Sequence, residues 1–125
     1  MQEIENYIHE VIVKYHIQKE NLLYCGMSLE GTRALKLAAY SQTKSSTYKL
    51  KPKAIVICDS PLDMVRFHKE LQKAEEINFN SISANEGKWV SNYLERNLGG
   101  TPQNNLEAYL NYSPYSYFSN DENKL

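Results

Sequence analysis

The sequence predicts an α/β fold with a short parallel sheet. Two short continuous apolar runs, Leu22-Leu23-Tyr24-Cys25 and Ala54-Ile55-Val56-Ile57-Cys58, lie among segments of helical periodicity. A turn, Gly26-Met27-Ser28, joins the first run directly to one of those helical segments. Runs of this length without alternation suit strands buried on both faces of a parallel sheet. The resulting order of helix, strand, helix, strand and then further helices is that of an α/β protein.

Taken in order, residues 3–16 place Ile4, Tyr7, Ile8, Val11, Ile12 and Tyr15 on one helical face. Gln18-Lys19-Glu20-Asn21 ends that helix, and the first strand follows. The helix after Ser28 carries Leu29, Ala34, Leu35, Leu37 and Ala38 and fades near Tyr40. Residues 41–53 form a loop whose Lys44, Lys49, Lys51 and Lys53 are expected to be solvated. After the second strand, Ser60-Pro61-Leu62-Asp63 reads as a capping box with proline at the first helical position. The helix it opens offers Leu62, Val65, Phe67, Leu71 and Ala74 for burial. Ser83-Ala84-Asn85-Glu86 is a second capping box, opening a helix through Trp89, Val90, Tyr93 and Leu94 that stops at Gly99-Gly100. Thr101-Pro102 starts a short helix with Leu106, Tyr109 and Leu110 on one side.

The chain has 125 residues, which fits one domain over 1–125. Its hydrophobic fraction of 42% and charged fraction of 23% are those of a folded protein. A net charge of −1 supplies no basic field for nucleic acid or an anionic membrane, so neither is expected as a partner. The strongest apolar stretch, residues 54–58, is far shorter than the ~20 residues of a membrane-spanning helix. The amino terminus MQEIENYIHE has neither the basic start nor the apolar core of a signal peptide, and a cytoplasmic location is expected. Cys25 and Cys58 end the two runs and read as buried, reduced thiols on neighbouring strands. Their spacing matches no metal motif. The Gly-x-Ser-x-x-Gly segment lacks the Gly-Lys-Ser/Thr ending of a phosphate loop, so neither metal nor cofactor is expected.

Two parallel strands cannot bury both of their own faces. Tyr109, Tyr112, Tyr115, Tyr117 and Phe118 concentrate aromatic surface near the end of the chain, as core contacts for further strands would. The expected architecture is therefore part of a three-layer α/β/α sandwich, an incomplete domain whose sheet edges invite self-association.

Chemistry concentrates at residues 22–31. A strand running into a tight turn with serine at its apex projects the hydroxyl beyond the sheet, and the helix that follows begins with unpaired backbone N–H groups. Such groups stabilise a developing oxyanion. The segment resembles the nucleophile elbow of the α/β-hydrolase family, Gly-x-Ser-x-Gly between strand and helix. Gly26 takes the first glycine, and Glu30 stands where the second belongs, with Gly31 one place later. Residues 29–39, 53–63 and 99–114 are similar to the helix, strand and loop that follow the elbow, so the resemblance covers the middle of the family's fold. It implies Ser28 as nucleophile, the Leu29 amide as an oxyanion donor, and an ester, thioester or amide as substrate.

Asp59, at the end of the second strand, is an acid candidate by the same resemblance, while helix capping is the competing role for Asp59 and Asp63. His9, His16 and His68 are expected on helix surfaces, so the base and the assured acid are expected from outside the chain. The alternative is a non-catalytic, hydrolase-like fragment that associates with another chain.

Overall fold

A computed structural model describes residues 1–78 and 80–119, the side chains of Tyr117, Phe118 and Ser119 excepted. The chain forms two compact units, Met1–Pro61 and Leu62–Leu125. The fold is mixed α/β with a two-stranded parallel sheet.

In the first unit, α1 (Gln2–Tyr15) ends at His16, a left-handed residue (φ 52°, ψ 41°) whose N–H returns to Ile12 and Val13. Its apolar face is thinner than the periodicity predicts. Ile12 is buried, but Ile4, Tyr7 and Tyr15 are exposed. What anchors the helix instead is Glu5, which is fully buried. Its carboxylate accepts from Gln2, from the Ser46 hydroxyl and from the Thr47 N–H at 3.0 Å. Burial opposes its ionisation, yet these bonds, together with one from the Tyr48 N–H, outweigh that penalty and hold the carboxyl below its ordinary value. The lysines of residues 41–53 are exposed as expected, but the loop as a whole is not a solvated connector: Ser41, Ser46 and Leu50 are buried within it.

A short 3₁₀ turn (Lys19–Asn21) leads into β1 (Leu23–Met27), which starts one residue later and ends two residues later than the apolar run suggests. It pairs in parallel with β2 (Ala54–Cys58), Leu23 opposite Ala54 and Met27 opposite Cys58. The helix α2 (Leu29–Tyr40) connects them and packs on the sheet. Tyr24, Gly26, Ile55 and Ile57 lie on the face toward α2 and are buried or half-buried. The other face, with Leu23, Cys25, Met27, Ala54, Val56 and Cys58, is exposed along its whole length. The expectation of strands buried on both faces, and of buried cysteines, is thus corrected: among the described residues a helical layer covers one face only. Both thiols are free and exposed.

In the second unit, α3 (Met64–Ile77) packs against α4 (Ser81–Leu98), and α5 (Leu106–Tyr112) packs on α3. α6 (Pro114–Ser119) closes the described chain. The capping box expected at Ser60 lies three residues early. Asp63 is the N-cap, accepting from the N–H groups of Val65 and Arg66 at 3.0 Å each, and α3 starts at Met64. Its buried face is consequently Met64, His68 and Leu71, of which Leu71 alone belongs to the expected set, and Leu62 is exposed. Likewise Asn80, not Ser83, caps α4. Gly99 ends that helix in the left-handed conformation (φ 77°), as expected. Of the terminal aromatics, Tyr109 is fully buried and Tyr115 exposed; the side chains of Tyr117 and Phe118 lie outside the described residues. No described helix is long and apolar enough to cross a membrane.

Candidate functional site

The turn between β1 and α2 is built by close backbone packing. A Cβ on Gly26 would stand 2.5 Å from the backbone of Glu30 and Gly31, so only glycine lets the strand pass under the helix start. A Cβ on Gly31 would lie 1.9 Å from Ser60 Oγ and 3.1 Å from the Gly26 carbonyl oxygen. Close packing on the helix side thus falls to Gly31. Glu30 turns outward, where its exposed carboxylate pairs with Arg33 at 2.7 Å. Two further bonds tie the end of β2 to this junction. The Ser28 N–H donates to the Cys58 carbonyl at 3.0 Å, and the buried Thr32 hydroxyl donates to the Pro61 carbonyl at 2.6 Å. Thr32 and Ser60 were not legible as parts of the turn, because neither belongs to the Gly-x-Ser pattern.

Ser28 itself holds φ 52° and ψ −133°. Positive φ alone is not unusual in this chain: His16 (φ 52°, ψ 41°) and Asn78 (φ 46°, ψ 42°) share it, but both sit in the left-handed helical basin as helix caps. Ser28 lies outside that basin, in a region costing of order 1–3 kcal/mol for a residue with a Cβ. Nor does it act as an ordinary N-cap: its side chain makes no capping hydrogen bond and its residue is exposed. The N–H groups of Leu29 and Glu30 open α2, where a helix offers no internal acceptor, while the Gly31 N–H returns to the Ser28 carbonyl at 3.1 Å.

Asp59 follows Cys58 as Ser28 follows Met27, so the register sets the two side by side at the carboxyl ends of the strands. It too has positive φ (46°) and is exposed, and its carboxylate makes no hydrogen bond to a described residue. Asp63, in contrast, is a helix cap.

None of the histidines hydrogen-bonds Ser28. His9 is half-buried and stacks on Tyr48 with ring centroids 3.7 Å apart, and His16 caps α1 on the surface. His68 is a correction: it is 1% exposed rather than superficial. Its Nε2 lies 2.8 Å from Glu95 Oε1, and its ring meets Tyr109 edge-on. Its i+4 spacing from Met64 and i−3 spacing from Leu71 carried the signal of burial, masked by the misplaced helix start. Burial, reinforced by the charge of Glu95, pushes the Tyr109 hydroxyl up to about 12.

Near the turn, a groove of about 300 Å³ runs between α1, β1 and α2, lined by Ile4, Ile8, Leu23 and Leu37 with Glu30 and Arg33 included. Lys36, on α2, is partly buried, and desolvation pushes its ammonium down to about 8. A larger hollow of about 760 Å³ in the second unit is lined mainly by charged side chains of α3 and contains neither Ser28 nor Asp59. Among the described residues no three His, Cys, Asp or Glu side chains gather as a metal-binding group. Compared with models of protein families, with curated proteins and with solved structures, the chain matches none.

Proposed function

We propose that the chain is the elbow-bearing part of a serine hydrolase of the α/β-hydrolase type, with Ser28 as the nucleophile of acyl transfer from an ester, thioester or amide to water. The observation that carries this reading is the backbone of Ser28, held at φ 52° and ψ −133° between strand and helix while its side chain caps nothing. A strained, exposed serine whose hydroxyl serves no structural bond fits a nucleophile better than a cap. In the reaction the hydroxyl oxygen attacks the acyl carbon, and its proton passes to a base. The Leu29 N–H then receives the oxyanion, a contact of the kind worth about 3 kcal/mol in the transition state. Asp59, beside the serine, is the candidate acid. No histidine here engages Ser28, so the base is supplied from outside these residues.

The test uses a fluorophosphonate with added imidazole as surrogate base, and peptide mapping of the product. Labelling at Ser28 that imidazole accelerates, and that Ser28→Ala abolishes, supports the reading. A Ser28 that stays unlabelled in a folded chain, or labelling that survives the substitution, overturns it. A second reading, a hydrolase-like but non-catalytic chain that associates with another, is favoured by the exposed apolar sheet face. It expects concentration-dependent association in sedimentation velocity, and a monomer at high concentration counts against it.

A further inference from the structure

We propose that the open face of the sheet holds a site for one soft monovalent cation, Cu(I), formed by the thiols of Cys25 and Cys58 and the thioether of Met27. The register brings these groups together. Met27 lies opposite Cys58, and Cys25 precedes Met27 by two residues on the same strand, so all three point to one side. Each is accessible: Met27 is 68% exposed and both cysteines are free and exposed.

The spacing discriminates between the reactions open to two thiols. Strands about 4.8 Å apart and two residues of about 3.3 Å rise place the cysteine β-carbons about 8 Å apart on the diagonal. A disulfide needs about 3.5–4.5 Å between β-carbons, so direct oxidation within the chain is disfavoured. An intervening ion spans the longer gap, because a metal–sulfur bond of about 2.3 Å then lies on each side of it. Met27, unbranched and flexible, reaches the same ion from the strand position opposite Cys58. Two thiolates and a thioether select a soft d¹⁰ ion over hard cations, and the lack of a fourth strong donor disfavours tetrahedral Zn²⁺. The neighbours Leu23, Ala54 and Val56 on that face are apolar and offer no competing ligand. Binding is a ligand exchange without electron transfer: copper enters and stays as Cu(I), releasing the solvent or chelator ligands it arrived with, two Cu–thiolate bonds and one Cu–thioether bond form, and the two thiol protons leave to solvent.

The experiment is an anaerobic titration of the folded chain with Cu(I) against a chromogenic chelator, with alkylation of the thiols as a second readout. One tight Cu(I) per chain is expected, with protection of both cysteines from iodoacetamide in the unaltered protein. Cys25→Ser and Cys58→Ser should each lose that tight site, and Met27→Leu should weaken it. Ser28→Ala should leave it unchanged, since the site does not depend on the hydrolase reading. Two independent Cu(I) ions per chain, equal affinity in the urea-unfolded chain, a copper-bridged dimer, or retention of the tight site in either cysteine variant would each overturn the proposal.

Discussion

Two helix starts in this chain are made in opposite ways. At α3, Asp63 is relaxed (φ −116°, ψ 104°) and its carboxylate satisfies two backbone N–H groups. At α2, Ser28 is strained (φ 52°, ψ −133°) and satisfies none. The free donors of α3 are consumed in stabilising the helix. Those of α2 are left to whatever anion approaches the turn, at the expense of local stability. A helix start that forgoes its cap and keeps a strained backbone is a place where the fold gives up stability for geometry.

The contrast can be broken most severely at Gly26. Gly26→Ala should lower stability by about 3 kcal/mol, because the new methyl meets backbone that cannot move aside, and a urea melt reads the loss. Next in size is the release of strain. Ser28→Gly should raise stability by about 1 kcal/mol, with the urea midpoint moving upward, since glycine tolerates this backbone. The caps come third: Asp63→Ala should cost about 1 kcal/mol, whereas Ser28→Ala should stay within about 0.5 kcal/mol of the parent. Equal losses at both positions would erase the distinction.

Acid gives the smallest and most local effect. The folded chain holds Glu5 below its ordinary value, so the unfolded chain takes up the proton first as pH falls. The stabilisation from Glu5 is therefore complete above about pH 4.3 and lost as pH drops through the lowered folded value. Between about pH 6 and about pH 3, the urea midpoint of the parent should fall further than that of Glu5→Gln. Such a loss acts at the docking of α1 and leaves the comparison of the two turns intact.

Much of this architecture was legible because its signals are local. Both strands, the serine turn and the Gly99 cap follow from short runs and single residues, and the structure has them at or within two residues of their expected places. What failed was decided by partners distant in sequence. The start of α3 moved because Pro61 and Leu62 continue the loop from β2 and leave the cap to Asp63, and that shift turned His68 from the surface into the core. The exposure of Cys25 and Cys58 depends on how many layers cover the sheet, which no apolar run reveals. In the turn, Ser28 was readable from its neighbours, but the role of Gly31 required knowing that Ser60 would press against it.

The buried carboxylate of Glu5 also sets an order of assembly. Its partners Ser46 and Thr47 lie 41 and 42 residues further along, so α1 closes the longest loop within its unit. During synthesis α1 emerges with Gln2 beside its buried carboxylate but without the later donors Ser46 and Thr47. The unit formed by β1, α2 and β2 rests on shorter-range contacts and can form before α1 docks. A helix made before its partners is thereby the last part of this unit to find its place, and protection of residues 46–48 from exchange would report the moment at which it does.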